Sequence, residues 1–186
     1  MGRMRSGKDT VALRLVTEHS YTRVAFADPL KVMAEMLNPF VTSDEDDWDL
    51  PGLRLSEVLE GHGGWEKAKD RFPEVRRILQ SMGQSIRAVD PDYWVRLLLA
   101  KVDNADKWNL PVVVTDVRYR NEAEALKARG FRMVRVIRPD SVTTDTPADR
   151  HESERGLDRW VPDVALLNAS SLAELHRRAD MLTELP

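Results

Sequence analysis

Gly2, Gly7 and Lys8 stand at the spacing G-x-x-x-x-G-K, within Gly-Arg-Met-Arg-Ser-Gly-Lys-Asp-Thr at positions 2–10. This stretch constrains the fold more than any other. A loop of this kind turns its backbone N–H groups inward around phosphate oxygens, and its Lys reaches the outer phosphates. The helix it opens adds a positive N-terminal end. The pattern therefore predicts a buried strand, the loop and a helix, in that order. The helix is legible from Asp9 to His19, with Val11, Ala12, Leu15 and Val16 on one face. The strand is not, because only Met1 stands before Gly2. A start placed inside a longer reading frame, or a sheet completed in another way, is the expectation that follows.

Downstream, helical and strand patterns alternate. Thr22 to Ala27 reads as a strand, with Val24 and Phe26 alternating. Asp28-Pro29 breaks it, Pro29 suits a first helical position, and a short helix follows from Lys31 to Leu37 with Val32, Met33, Met36 and Leu37 inward. Residues 41–72 differ in composition. The acidic run Ser43–Asp47 reads as a solvated surface insertion, and Gly61-His62-Gly63-Gly64 as a flexible break. Pro73 starts a longer helix with the stripe Val75, Ile78, Leu79, Met82, Ile86 and Val89. Asp90-Pro91 caps another, whose apolar face is Trp94, Leu97, Leu98 and Val102. Pro111 to Thr115 is a continuous apolar run, the pattern of a parallel strand buried on both faces. Then come a helix over 121–129 stopped by Gly130, a strand over 131–137, a polar segment over 138–160, a strand over 164–167 and a helix over 171–185. The class is α/β, with a largely parallel sheet flanked by helices.

At 186 residues the chain is expected to be one domain. Its core would be 1–30 and 108–186, its helical insertion about 31–107 and its lid about 139–160. It has no cysteine, which excludes disulfides and a thiol nucleophile. A net charge of −3 gives no overall basic character of the kind that nucleic-acid polymers select. No apolar run reaches membrane-spanning length, so neither a membrane nor a nucleic-acid polymer is expected as a partner, and the cytoplasm is the expected location.

Ligands of open α/β sheets gather beyond the carboxyl ends of the strands. The glycine loop, Asp28, Asp116 and the segment after Arg138 all follow predicted strand ends. Asp9 stands after Lys8, where Ser or Thr commonly binds Mg²⁺. A carboxylate there could ligate the ion, hold a metal-bound water, accept a proton or stabilise the helix end, with Thr10 supplying the hydroxyl. Val112-Val-Val-Thr-Asp116-Val-Arg118 is an apolar strand ending in a carboxylate that could orient Mg²⁺, with Arg118 placed to reach a phosphate. Asp116 could equally cap the next helix. Arg138, Arg150 and Arg155 from the polar segment, and Arg76, Arg77 and Arg87 from the Pro73 helix, would supply the charge that phosphoryl transfer needs.

With these residues assembled, the chain resembles the deoxynucleoside monophosphate kinases of tailed bacteriophages. The resemblance rests on positions 2–10, Phe-Ala-Asp-Pro-Leu-Lys (26–31), Arg-Ile-Leu-Gln-Ser-Met-Gly-Gln (77–84), Asp-Tyr-Trp-Val (92–95), Val-Thr-Asp-Val-Arg-Tyr-Arg-Asn-Glu (114–122) and His-Glu-Ser-Glu-Arg-Gly-Leu-Asp (151–158). The Ser-Gly-Lys-Asp form of the loop also occurs in phosphomevalonate kinases. The resemblance implies a P-loop fold with acceptor-binding helices and a lid. It also implies phosphorylation of a deoxynucleoside 5′-monophosphate by ATP with Mg²⁺, to supply DNA precursors. Gly2, Arg5, Ser6, Gly7, Lys8, Asp9 and Thr10 would bind ATP, with Asn168 beside adenine. Asp9, Thr10 and Asp116 would hold the metal. Asp28, Lys31, Arg77, Gln80, Trp94, Asp116, Arg118, Glu122 and Glu152 would bind the acceptor, with Asn121 beside them. Lys8, Asp9, Arg118 and Arg138 would serve the transfer itself. Dephospho-coenzyme A or phosphomevalonate as acceptor, or an inert ATP-binding relic, are the competing readings. Base preference and oligomeric state, a homodimer included, stay open.

Overall fold

The computed structural model describes residues 1–2, 6–42, 52–139 and 156–184. The acidic run, Arg5, Arg150, Arg155 and the 151–154 stretch with Glu152 therefore lie outside the described residues, as does most of the expected lid. The chain divides into two compact units, residues 1–26 with 95–186, and residues 27–94. The sequence had suggested boundaries at 30/31 and 107/108.

In the first unit, helix α1 (Lys8–His19) leads to strand β1 (Thr22–Val24). The second segment brings most of helix α6 (Tyr93–Asp106), strand β4 (Val112–Val114), helix α7 (Arg120–Ala128), strands β5 (Val134–Ile137) and β6 (Val164–Leu167), and helix α8 (Leu172–Asp180) with a short 3₁₀ turn after it. Strand β1 pairs with β4 and β5 with β6, both in parallel. The two pairs share one core: Val11 and Leu15 of α1 pack with Val136, Leu166, Leu175 and Ala179, and Val113 and Val134 lean on the same cluster. Each fully buried Val or Leu of this cluster contributes about 1.5–3 kcal/mol on burial.

Met1 supplies one further rung of this sheet. Its amino group donates to Val134 O at 2.7 Å, and Val136 N–H donates to Met1 O at 3.0 Å. That is the bonding of a single parallel bridge opposite Arg135. Gly2 then passes so close to β5 that a Cβ there would overlap the Val136 carbonyl oxygen. Strand β4 carries no second strand partner among the described residues. Its three valines are accordingly half-buried, not buried on both faces as expected.

The second unit carries helix α2 (Ala27–Leu37), the antiparallel pair β2 (Phe40–Val41) and β3 (Leu53–Arg54), and helices α3 (Leu55–His62), α4 (Trp65–Arg71) and α5 (Pro73–Val89). Several expectations are corrected here. Pro29 lies in the first turn of the helix, where Pro is tolerated, but the helix begins at Ala27 and not at Lys31. Its inward face is the half-buried Leu30 and the buried Ala34. Leu30 reaches α5 at Gly83, where an added Cβ would lie 3.3 Å from its methyl group. Val32, Met36 and Leu37 are exposed, Met36 by 81%. On α5 the expected stripe is buried at Val75, packs partly buried against the same core at Ile78, Leu79 and Met82, and ends at Val89, which is 88% exposed. Within residues 55–71, Leu55, Val58 and Ala68 are buried with Ala34, Val41 and Val75. The glycine run is a helix–helix turn, with Gly63 and Gly64 at φ 72° and 92°.

Candidate phosphate-binding site

Ser6-Gly7 ends the loop and Lys8 begins α1. Gly7 has φ 104° and ψ 11°, a conformation that costs an L-residue strain. A cavity of about 350 Å³ opens beside it, lined by Gly7, Lys8, Asp9, Thr10, Arg138 and Asn168, with Ser170, Leu172 and Leu175. Two cations, a carboxylate, two hydroxyls and a helix N-terminus thus meet in one concavity. This is the chemistry of a phosphate site. Ser6 is 2% exposed, and its Oγ has no hydrogen-bond partner among the described residues. An orphaned buried hydroxyl at a glycine loop suits a polar ligand.

Asn168 follows β6. Its backbone N–H continues the β5–β6 ladder by donating to Ile137 O at 2.7 Å, and its Nδ2 donates to Ser6 O at 2.9 Å. The sequence reading had placed Asn168 near this site but had no signal for the bond to the loop. It also missed Leu172 and Leu175 as cavity residues, since their spacing on a terminal helix reads simply as core.

The carboxylates lie differently. Asp116 sits just beyond β4, and its Oδ1 accepts from Phe26 N–H at 2.8 Å, tying the chain after β1 to the chain after β4. It does not line the cavity. Glu122 is 1% exposed, and its Oε2 accepts from the N–H groups of Arg118 at 2.9 Å and Tyr119 at 3.0 Å. This caps the N-terminus of α7 and satisfies donors that a helix end leaves unpaired. The Arg118 side chain is exposed.

In the second unit, Lys31 Nζ lies 3.7 Å from Glu66 Oε1 and 5.8 Å above the Trp65 ring. The Trp65 indole N–H donates to Glu35 at 2.7 Å. Arg77 pairs with Glu74 one turn back, and Gln80 is exposed on the same helix. Trp94 is buried, with its indole N–H donating to Gly83 O at 3.2 Å. Asp28 is half-buried at the head of α2.

A parallel α/β core, with a glycine loop at the head of a helix and a cation-lined cavity beside it as the candidate site, defines the chain as an α/β protein. Its residues 64–179 match the model of the deoxynucleotide monophosphate kinase family, and the chain belongs to that family. The matched span contains Arg138 and Asn168, whereas the loop at 2–10 lies outside it. The chain is 36% identical over 108 residues to the uncharacterised protein ORF77 of Ictalurid herpesvirus 1, covering 57% of this chain and 46% of that one. It is 34% identical over 106 residues to the deoxynucleotide monophosphate kinase of Enterobacteria phage T4, covering 54% and 42%. A protein of Acanthamoeba polyphaga mimivirus, provisionally named as the same kinase, is 28% identical over 192 residues, covering 95% and 90%. The chain therefore spans about half the length of the herpesvirus and phage relatives and most of the mimivirus one.

Proposed function

We propose that the chain transfers the γ-phosphoryl group of ATP to the 5′-phosphate of a deoxynucleoside monophosphate, on a P-loop kinase fold. The cavity beside Gly7 carries this reading, because Lys8, Arg138, Asp9 and Thr10 converge there. In the transfer, the bond between the γ-phosphorus and its bridging oxygen breaks, and an acceptor phosphate oxygen forms the new one. The acceptor oxygen is already ionised at neutral pH, so no strong general base is needed. Positioning and charge neutralisation do most of the work.

Lys8 and the loop N–H groups would hold the triphosphate, and Arg138 would meet charge on the moving group. The donor set fits Mg²⁺. Among the described residues no cluster of three His, Cys, Asp or Glu forms an all-protein metal cage. Mg²⁺ in kinases needs none, since it is held by one or two protein oxygens and the phosphates. Asp9 and Thr10 would provide those oxygens, with Asp116 as the more distant candidate. When bound, the ion neutralises charge on the β- and γ-oxygens. In the second unit Asp28, Lys31, Arg77, Gln80 and Trp94 would bind the acceptor. In the first, Arg118 would meet a phosphate, with Glu122 as the cap that shapes the backbone there.

The test is Lys8→Ala in an ADP-release assay across the four deoxynucleoside monophosphates, dephospho-coenzyme A and phosphomevalonate. Turnover of at least one deoxynucleotide, reduced at least a hundredfold by the substitution, is expected. Undiminished turnover in Lys8→Ala, or turnover confined to a non-nucleotide acceptor, would refute the assignment.

A further inference from the structure

We propose that Asn168 is a positioning residue for the glycine loop, not a reader of the nucleotide base. The proposal rests on the phosphate-binding reading above and adds to it how the loop is held.

The backbone of Asn168 is fixed first. Its N–H donates to Ile137 O at 2.7 Å, one step past the last β5–β6 pair, Ile137 opposite Leu167. The side chain then leaves from a residue anchored to the sheet. Its Nδ2 lies 2.9 Å from the carbonyl oxygen of Ser6, 162 positions away in the chain. A carbonyl only accepts, so the amide must present its NH₂ group there, and its orientation is set by chemistry.

What this bond fixes is the peptide unit between Ser6 and Gly7. In a trans peptide the C=O and N–H point in opposite directions. Holding the Ser6 carbonyl toward Asn168 therefore holds the Gly7 N–H the other way. A loop that binds anions through its N–H groups depends on that direction. The peptide could otherwise flip, because Gly7 adopts positive and negative φ at similar cost. Asn168 also closes over Gly7 directly: a Cβ on Gly7 would lie 2.7 Å from its Nδ2. The side chain is thus held by the loop on one side and by the β6 backbone on the other. The N–H that bonds Ser6 O is not available to a base, and turning the whole amide plane toward a base edge would release Ser6.

The experiment compares the full chain with Asn168→Ala and Asn168→Leu, the second keeping the bulk of the amide without its donor and without adding charge. Mg²⁺-dependent binding of ATP, GTP and inorganic tripolyphosphate is measured by calorimetry, and backbone ¹⁵N relaxation at residues 6–8 is measured without ligand. A single intramolecular hydrogen bond has a net worth of about a fivefold factor. Both substitutions should weaken all three probes by about fivefold, tripolyphosphate included, and leave the ATP-to-GTP ratio unchanged. The Gly7 N–H should lose rigidity in both variants. Unchanged tripolyphosphate affinity with an altered ATP-to-GTP ratio would overturn the proposal, as would unchanged relaxation at Gly7. If the unaltered chain binds none of the three probes, the phosphate-binding reading fails, while the relaxation measurement still decides whether Asn168 holds the loop.

Discussion

Replacing Gly7 by alanine should cost more stability than its backbone strain alone, and the excess should vanish when Asn168 is removed. Two terms enter. An L-residue held at φ 104° costs about 1–2 kcal/mol. The new Cβ would also stand 2.7 Å from Asn168 Nδ2, closer than unbonded atoms tolerate, so the amide must retreat. Its bond to Ser6 O is then lost, at about 1 kcal/mol or somewhat more because Ser6 is buried. The sum is about 2–4 kcal/mol. With Asn168→Ala in the background the second term has already been spent, and Gly7→Ala should cost only about 1–2 kcal/mol. Urea unfolding of the four proteins closes the cycle, with an expected coupling of about −1 to −2 kcal/mol. Distant or independent sites add within about 0.5 kcal/mol. Additivity within that margin would refute the claim that Asn168 and the loop act as one unit.

Other perturbations bear on the rest of the first unit and on the second. Asp180 accepts from Arg14 Nε at 2.8 Å and from His19 Nε2 at 2.8 Å, which lowers its pKa from 3.8 to about 2. Its folded pKa lies below the unfolded value, so its contribution is present above about pH 4 and fades as pH falls toward 2. Melts of the chain and of Asp180→Asn should differ at pH 6 and converge near pH 2; a constant gap would argue against the ion pair. Leu55→Ala, at a wholly buried position of the second unit, should cost about 2–5 kcal/mol in urea unfolding.

Much of the first unit could be read from residue patterns because each of its elements carries a local signal. Helix α1 shows three inward apolar residues at helical spacing, and Ser171 announces α8 by accepting from Glu174 N–H at 3.3 Å. The second unit was harder because its packing depends on small residues. Ala34 and Ala68 lie at the centre of its core, and Gly83 is where α2 approaches α5. None of these carries enough hydrophobic weight to mark a face, so the larger Val32, Met36 and Leu37 dominated the pattern and pointed the wrong way. Stripe reasoning follows side-chain size, whereas helix approach is often set by the residues that are absent in bulk.

The same limit applies to the site. The loop was legible because its glycines and lysine sit within a few positions of one another. Asp116 and Glu122 were legible as carboxylates near strand and helix ends, but not as acceptors of backbone N–H groups at Phe26, Arg118 and Tyr119. Local spacing cannot distinguish a carboxylate kept for a ligand from one committed to a cap. The bond from Asn168 to Ser6 is a purer case, since it spans nearly the whole chain and involves one backbone atom that every residue type possesses. No side chain at position 6 could advertise it. What makes it consequential is that Gly7 has no conformational preference of its own, so the direction of its N–H must be imposed from outside the loop. A glycine loop gains a close approach to phosphate by giving up backbone rigidity, and in this fold the end of β6 restores it.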